Sequence, residues 1–332
     1  MTDSASPVVA IDLGGTKALI GVVEADGTVR SRVLLPSRDL SGRPAELLDR
    51  LAEGAAAAAA QADLPFRAVG AVGVCVPGPL DQSRSIVAVA PNLGWVDLPV
   101  REELGRRLPK KSVFLENDVR AAALSEHKLG AGVGAESMLA VFVGSGVGGG
   151  IITSGRVLRG AHGFAAEVGH FQIDPDGPVC ACGERGHWEA FASGSALGRM
   201  GREWAAEGRA PDVLKRAGEP AAITGQHVGD SARAGAPDGI ALLETYSDYV
   251  AIGLAALANI LDPERIVISG GVIEIGDALF ERLRTAFARR IEGFEYRPRV
   301  EIIPAQLGEE AGVIGAALLA RDRLGETAHH DS

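Results

Sequence analysis

The pair Asn117-Asp118 stands where catalytic side chains are often found. The apolar run Val113 to Leu115 predicts a short strand that leads into Glu116-Asn117-Asp118, and the segment Val119 to Lys128 predicts a helix. Binding sites in α/β domains gather at the ends of strands. One interpretation is that the pair only caps the helix, because Asn and Asp are good N-cap residues. The other is that Asp118 is a general base for a hydroxyl group and that Asn117 orients the same substrate, as phosphoryl transfer requires.

Glycine-rich turns between predicted strands occur twice, at Asp12-Leu13-Gly14-Gly15-Thr16-Lys17 and at Gly144 to Gly150. Small residues let the backbone approach a phosphate, and the amides and hydroxyl of such a turn donate hydrogen bonds to it. Asp12, at a strand end, predicts a Mg²⁺ site that acts through water, whereas a tight hairpin with a polar tip is the alternative for this turn. Gly270-Gly271 is a candidate for the nucleoside or a plain strand-to-helix turn. The candidate nucleotide-binding residues are Asp12, Gly14, Gly15, Thr16, Lys17, Gly144, Ser145, Gly146, Gly270 and Gly271.

A cluster of metal-ligating and acidic residues lies between Glu167 and Glu189. It contains His170, Cys180, Cys182 and His187, and Cys-x-Cys with flanking histidines is a plausible tetrahedral Zn²⁺ set. The stretch is rich in glycine, proline and small residues, so it cannot pack a core, and a bound metal would give it order. The pattern predicts a structural zinc that fixes both glutamates beside a sugar. The alternative is a solvated loop with free cysteines.

The order of predicted elements indicates an α/β protein built from a repeat. Strand-like runs at Val8 to Ile11, Ala18 to Val23 and Val29 to Leu35 surround the first glycine turn, and a similar strand, turn, strand and hairpin pattern returns from Leu139 to Leu158. A Rossmann domain is not favoured, because its glycine loop leads into a helix. We therefore expect two related domains with a cleft between them. A long helix is predicted from Thr245 to Leu261.

The composition restricts the partners. The chain has 332 residues, which is enough for two moderate domains. Its net charge of -10 does not attract nucleic acid or anionic lipid. The stretch Met1 to Pro7 is polar and has no apolar signal core, and the alanine tract Ala55 to Ala60 is too short to span a bilayer. We expect a cytoplasmic protein. The 3 cysteines do not predict a disulfide framework.

Together these segments resemble the ROK family of bacterial sugar kinases and related repressors, over nearly the whole chain. The matching segments are Asp12 to Lys17, Val74 to Asp81 (VCVPGPLD), Pro91 to Trp95 (PNLGW), Glu116 to Asp118 (END), Gly160 to His170 (GAHGFAAEVGH), Cys180 to Glu189 (CACGERGHWE) and Ala305 to Ala317 (AQLGEEAGVIGAA). The combination is specific, although a glycine loop by itself is not.

The resemblance implies an actin-like ATPase fold, related to ribonuclease H, with two α/β domains. We expect a smaller domain from residues 1–118 with a C-terminal helix at about 306–325, and a larger domain from 119–305 with the zinc loop. It further implies Asp118 as general base and His170, Cys180, Cys182 and His187 as zinc ligands. The residues it implies as sugar contacts are Asn117, Glu167, His170, Glu189, Gly78 and Asn92, the last two from the loops that sort ring substituents.

Two positions depart from the family pattern. His187 stands where the family usually has a third cysteine, and Ser145 stands where the second phosphate loop usually has threonine. Histidine is a good zinc ligand, so a Cys₂His₂ site is predicted. The serine keeps the hydroxyl group.

The resemblance predicts an ATP- and Mg²⁺-dependent hexose kinase of carbohydrate metabolism and glycolysis, most similar to the glucokinases of the family. N-acetylmannosamine, N-acetylglucosamine, fructose, allose or a cyclitol are alternative substrates. A sugar-sensing regulator is less favoured, because such relatives carry a DNA-binding domain ahead of the first phosphate motif, which here begins at Asp12. A non-catalytic sugar-binding protein is a further alternative. Family relatives are commonly dimers or tetramers, so a homo-oligomer is expected.

Overall fold

A computed structural model describes residues 7–330 of the chain and divides it into two compact units. The first unit contains the chain up to Gly134, the segment Arg156–Ala165, and the chain from Gln306 onward. The second contains Ala135–Gly155 and Ala166–Ala305. The polar N-terminus, where the sequence shows no signal core, lies outside the described residues except for Pro7.

The first unit is a mixed sheet covered by helices. Its strands are β1 (Val8–Leu13), β2 (Lys17–Val23), β3 (Val33–Pro36), β4 (Ala71–Val76), β5 (Val87–Ala90), β6 (Trp95–Leu98) and β7 (Ser112–Asn117). It also contains the two-residue β10 (Arg156–Val157), which is not part of its main sheet. Its helices are α1 (Pro44–Gln61), α2 (Val100–Arg107), α3 (Asp118–Leu129) and α10 (Ala311–His330). The main sheet has the order β3-β2-β1-β4-β7, and β5 pairs with β6 in a separate hairpin.

The pattern of apolar residues explains this layering. The central strands β1 and β4 are apolar on both faces, as expected for strands with helices on each side. In α1 the buried residues Leu47, Leu51, Ala55 and Ala58 recur at helical spacing and form one face. On α10 small residues permit a close approach, because a Cβ on Gly73 of β4 would lie 2.1 Å from the carbonyl oxygen of Ala316.

The second unit repeats the arrangement. Its strands are β8 (Met138–Val143), β9 (Val147–Thr153), β11 (Arg265–Ser269) and β12 (Glu301–Pro304). Its helices are α4 (Glu189–Ala192), α5 (Gly194–Ala206), α6 (Pro211–Ala217), α7 (Gly225–Arg233), α8 (Pro237–Leu261) and α9 (Asp277–Ala288). The strand order β9-β8-β11-β12, with one antiparallel pair and two parallel pairs, matches β2-β1-β4-β7 of the first unit.

Three predicted elements depart most from their expected bounds. The third strand begins at Val33 rather than Val29, because the hydroxyl of Ser31 accepts the Val22 N–H at 3.0 Å and replaces a backbone bond of the ladder. The long helix begins at Pro237 rather than at Thr245, where proline at the first helical position costs no hydrogen bond. The terminal helix spans Ala311–His330 rather than about 306–325.

The compact units divide the chain differently from the predicted domains 1–118 and 119–305. Helix α3 belongs to the first unit, because it packs tightly on α10. A Cβ on Gly315 would lie only 1.8 Å from the carbonyl oxygen of Ala121, and the Ser125 hydroxyl donates to the carbonyl of Ala311 at 2.7 Å.

Helix α8 is the one helix among the described residues that is long and apolar enough to cross a membrane. Half of its most apolar window is buried, and Leu242, Leu243 and Tyr246 are fully buried against their own unit. Core helices of globular domains meet the same criterion, so its composition is weak evidence for a span.

Candidate active site

Asn117 and Asp118 have different local roles at the junction of β7 and α3. The side-chain oxygen of Asn117 accepts the N–H of Arg120 at 3.1 Å and caps the helix, which Asp118 then begins. The Asn117 amide group donates to a carboxylate oxygen of Asp118 at 3.0 Å, and the N–H of Val119 donates to the same oxygen at 2.8 Å. Helix capping is therefore supplied by Asn117 and does not account for Asp118.

The predicted sugar loops of the first unit meet this junction and the first glycine turn. Asn117 also donates to the carbonyl of Gly78 at 3.2 Å. Gly78 has φ +89, and a Cβ there would lie 2.0 Å from the carbonyl oxygen of Val89, so only glycine fits. Asn92 lies against Gly15, where an added Cβ would be 3.0 Å from the Asn92 Cβ.

The first glycine turn is a tight connection between β1 and β2. The N–H of Gly14 donates to the carbonyl of Lys17 at 2.9 Å, and the Ser37 hydroxyl donates to the carbonyl of Gly14 at 2.7 Å. Thr16 is exposed, and Lys17 forms an exposed ion pair of 3.1 Å with Glu309. The turn therefore presents a polar tip.

Asp12 lies at the base of this turn in a confined position. The Cys75 thiol donates to its Oδ1 at 3.2 Å, and a Cβ on Gly312 would lie 2.3 Å from its Oδ2. Burial raises the pKa of Asp12, while the Cys75 hydrogen bond and the charge of Lys17 lower it. A cation bound to the carboxylate would favour its ionised form, and oxygen donors are what Mg²⁺ prefers.

The second unit contains a cavity of about 750 Å³ beside Gly144 and Ser145, which belong to the second glycine turn of the chain. Of the predicted nucleotide residues, Gly144, Ser145 and Gly271 line it. Gly270 lies beneath it with φ +88, where a Cβ would be 2.3 Å from the carbonyl oxygen of Val143. The volume falls within the range of small-molecule sites.

Several lining residues of this cavity were not predicted from the sequence. They are Val143, Gly194, Ser195, Leu197, Gly198, Arg202, Thr224, Gly225, Gln226, Gly229, Arg233, Val272, Glu274 and Ile275. Ser193 caps α5 by accepting the N–H of Ala196 at 3.1 Å, and Thr224 forms a capping box at α7. Both helices thus begin at the cavity, where their N–H groups favour an anion. The dipeptides Ser193-Gly194 and Thr224-Gly225 were the available signal.

Glu189 connects the second glycine turn to the cysteine cluster. Its Oε2 accepts the N–H of Val147 at 2.9 Å and its Oε1 accepts the thiol of Cys180 at 3.1 Å. A Cβ on Gly146 would lie 2.4 Å from Oε2, so the glycine makes room for the carboxylate. Glu167 precedes the short turn Val168–His170 and is exposed.

The four predicted metal ligands converge. The ligand atoms of His170, Cys180, Cys182 and His187 all lie within 4.8 Å of one another. The Nδ1 of His170 is 3.8 Å from the Cys180 sulfur, and the Nδ1 of His187 is 3.2 Å from the Cys182 sulfur. Tetrahedral zinc with these ligands has donor separations of about 3.3–3.8 Å, so the cluster fits the metal with a small contraction.

The loop between these ligands folds into tight turns. The N–H of Gly183 donates to the carbonyl of Cys180 at 2.9 Å, and that of Cys180 donates to the carbonyl of Glu184 at 2.8 Å. Burial raises the pKa of Cys180 to about 12, and the hydrogen bond to Glu189 also raises it. A coordinated thiol is deprotonated, so metal binding would release this proton.

Comparisons with known proteins agree over nearly the whole chain. The ROK family model matches residues 8–323. A glucokinase of Streptomyces coelicolor is 36% identical over 317 residues, which cover 95% of this chain and 97% of that protein.

Solved structures give the same result. A ROK family glucokinase from Streptomyces griseus, in complex with glucose and AMPPNP, has a TM-score of 0.82 and 34% identity, covering 95% of this chain and 99% of that one. A ROK hexokinase from Thermus thermophilus has a TM-score of 0.79 and 37% identity, covering 96% and 99%.

Proposed function

This chain belongs to the ROK family and has the actin-like ATPase fold, and from this premise we propose that it is an ATP-dependent glucokinase. It transfers the γ-phosphoryl group of ATP to the 6-hydroxyl of glucose and forms glucose 6-phosphate and ADP. Similarity to glucokinases supports the activity. The observation that carries the mechanism is that Asn117 caps α3 and bonds to Asp118, which leaves the capping role filled without the aspartate.

Asp118 is the general base in this proposal. Its carboxylate accepts the proton of the sugar hydroxyl while the oxygen forms a bond to the γ-phosphorus. The bond from that phosphorus to the bridging oxygen of ADP breaks in the same step, so ADP leaves with the electron pair. Asn117 fixes the carboxylate by donating to it and to the carbonyl of Gly78.

The other predicted residues divide between sugar and nucleotide. Glu167, His170, Glu189, Gly78 and Asn92 complete the sugar contacts. ATP binds in the cavity around the glycine turn Gly144 to Gly146 and the pair Gly270-Gly271. The residues at its phosphates are Asp12, Gly14, Gly15, Thr16 and Lys17. Asp12 holds Mg²⁺, which neutralises phosphate charge when bound.

The activity is tested by an ADP-release assay across hexoses, amino sugars and cyclitols. We expect glucose to have the highest kcat/KM. A clear preference for N-acetylmannosamine or another panel member would replace glucose with that sugar, and no turnover with any of them would contradict a kinase.

The base is tested with Asp118→Asn. We expect turnover to be lost while calorimetry still detects glucose binding, because the amide keeps the shape of the side chain but cannot accept the proton. If the variant keeps near-normal kcat, Asp118 is not the base.

Glu167→Ala distinguishes the two substrates. We expect this change to raise the KM for glucose far more than the KM for ATP, since the carboxylate accepts hydrogen bonds from sugar hydroxyls. The reverse pattern would mean that the substrates are assigned wrongly.

We also propose that His170, Cys180, Cys182 and His187 hold one structural zinc ion per chain. The support is the convergence of the four ligand atoms. Metal analysis of purified protein should find about one zinc per chain, and His187→Ala should lower that content. His162, an exposed histidine outside the cluster, provides the control His162→Ala, which should keep it. Full zinc content in His187→Ala would exclude His187 as a ligand.

We further propose that the enzyme acts in the cytoplasm as a homodimer or homotetramer and binds neither nucleic acid nor membrane. The support is the family resemblance and the net charge of -10. Light scattering coupled to size-exclusion chromatography tests the oligomeric state, and a monomeric mass would contradict it.

A further inference from the structure

A cavity with several charged lining residues lies within the first unit, on the side of Glu116. Its volume is about 360 Å³, and its charged lining residues are Asp81, Arg84, Glu116, Arg120 and Arg159. The volume lies at the small end of the range for ligand sites. Glu116 precedes Asn117 in β7, and successive side chains of a strand point to opposite faces. The cavity is therefore distinct from the surroundings of the Asn117 side chain.

Three arginines from three different segments surround Glu116. Arg159, in the segment after β10, donates from Nε to the Glu116 carboxylate at 2.7 Å. Arg120 of α3 and Arg84 of the turn after Asp81 lie 3.9 Å and 4.0 Å from the same carboxylate. The side chains of Glu116 and Arg120 are 1% and 3% exposed, whereas that of Arg159 is 33% exposed, so Arg159 can meet a ligand that arrives from solvent.

The other carboxylate of the lining is committed to its own turn. Oδ1 of Asp81 accepts the N–H groups of Ser85 and Ile86, both at 2.7 Å, and Oδ2 accepts that of Ser83 at 3.0 Å. Burial opposes ionisation, but these bonds outweigh it and lower the pKa of Asp81 to about 2. Asp81 is thus an anion whose oxygens are engaged, which leaves Glu116 as the acidic group that competes for the arginines.

Arg159 has unused hydrogen-bonding capacity. Its bond to Glu116 uses Nε, and neither of its Nη atoms has a hydrogen-bond partner among residues 7–325, whose side chains the structure describes. A guanidinium group matches an oxyanion with two parallel N–H groups. Because the three guanidinium groups approach from different segments, they suit an anion whose oxygens point in several directions, which describes a phosphate group better than a planar carboxylate.

We propose that this cavity binds a phosphate group through Arg159, with Arg84 and Arg120 beside it, as a site separate from the sugar and nucleotide sites. The room beyond a single phosphate admits a small organic body, so the source is either a sugar phosphate or free inorganic phosphate. The site does not depend on the kinase assignment.

Occupation of this site changes the surroundings of the catalytic pair. A phosphate group competes with Glu116 for Arg159, and the other Glu116 oxygen accepts the N–H of Asn117 at 3.1 Å. Arg120 donates to the carbonyls of Gly163 and Ala165, both at 2.7 Å, which lie four and two residues before Glu167 in the chain.

The test is calorimetric titration of the full chain at constant ionic strength, with inorganic phosphate and with glucose 6-phosphate. Saturating glucose is present throughout, so that glucose 6-phosphate cannot enter the sugar site. We expect binding of at least one probe, and weaker binding of acetate. Equal affinities identify free phosphate as the source, and tighter binding of glucose 6-phosphate identifies a sugar phosphate.

Three variants make the test specific. Arg159→Gln should weaken phosphate binding by about tenfold or more, because a charge-assisted pair is lost. Arg156→Gln removes the same charge three residues earlier, at an exposed position outside the cavity, and should have little effect. Glu116→Gln should act in the opposite direction and strengthen binding, because it removes the competing carboxylate.

Arg159→Gln and Glu116→Gln are expected to change phosphate affinity in opposite directions, so the proposal stays falsifiable if one of the two variants is unstable. The proposal is overturned if neither probe binds to the wild-type protein, if Arg159→Gln binds as wild type does, or if Arg156→Gln loses as much affinity. It is also overturned if phosphate fails to raise the melting temperature of Glu116→Gln by more than that of the wild type.

Discussion

Asn117 and Asp118 are adjacent polar residues with separate tasks, and one substitution separates them. Asn117→Ser keeps a good N-cap residue but removes the amide group that donates to Asp118 and to the carbonyl of Gly78. We expect stability in urea to change little. We expect kcat to fall by about tenfold, because the hydrogen bond that positions the Asp118 carboxylate is lost. Unchanged kcat would mean that the amide group does not orient the base.

Gly312 determines where the Asp12 carboxylate lies. A Cβ at this position would be 2.3 Å from Asp12 Oδ2, so Gly312→Ala must displace the side chain. We expect a higher KM for the Mg²⁺ complex of ATP with little change in the KM for glucose, measured by initial rates.

The control for Gly312→Ala is on the same helix. Gly325→Ala meets no atom within 4 Å and replaces glycine by a better helix former. It should leave both KM values unchanged. Equal effects of the two alanines would exclude contact with Asp12 as the cause.

The sequence predicted which residues are candidates for the site better than it predicted their hydrogen-bond partners. The spacing around Asp118 and the four residues 170, 180, 182 and 187 was enough to identify a candidate base and a metal cluster, because both motifs are local in the chain. The assignment of the cap to Asn117 and the contact of Cys75 with Asp12 were not predictable. The sequence offered both Asn117 and Asp118 as caps, and only the geometry of the first helical turn distinguishes them. The Cys75 contact joins segments distant in the chain, which periodicity does not bring together.

At the scale of elements, Glu126 joins α3 to the segment that precedes α10. Its buried carboxylate accepts the N–H of Gln306 at 3.0 Å, of Leu307 at 2.7 Å and of Ala131 at 2.9 Å. Glu126→Gln would turn an amide N–H₂ towards these donors. We expect a loss of about 2–3 kcal/mol in the free energy of unfolding, as for a broken hydrogen bond to a charged group.

Urea unfolding measures the loss from Glu126→Gln. The matched control is Glu102→Gln, which removes an exposed pair with Arg106 and should cost less than about 0.5 kcal/mol. If both variants lose the same small amount, the buried carboxylate does not hold α3 to the segment before α10.

The repeated strand, glycine turn and strand were predictable from the sequence, whereas the sheet order and the helices that line the candidate nucleotide cavity were not. Two strands around a glycine turn give a strong local pattern, and it occurs in both units. The starts of α5 and α7 are Ser-Gly and Thr-Gly pairs, which resemble ordinary helix caps. Their meeting at one cavity depends on the packing of α5 on α7, which involves residues distant in sequence.

At the scale of the whole molecule, the chain forms two compact units, and all four proposed metal ligands belong to the second unit. Removal of zinc should therefore destabilise the loop from His170 to His187 and the elements next to it. Trp188 follows this loop directly, is fully buried, and donates from its indole N–H to the carbonyl of Tyr249 in α8 at 2.9 Å. Local stability differs between regions of one protein and is measured by hydrogen exchange. We expect chelation to increase exchange in α4 and α8, while β1, β4 and α1 of the first unit keep their protection. Added zinc should restore the original pattern, and equal loss of protection in both units would contradict a metal site that stabilises the second unit alone.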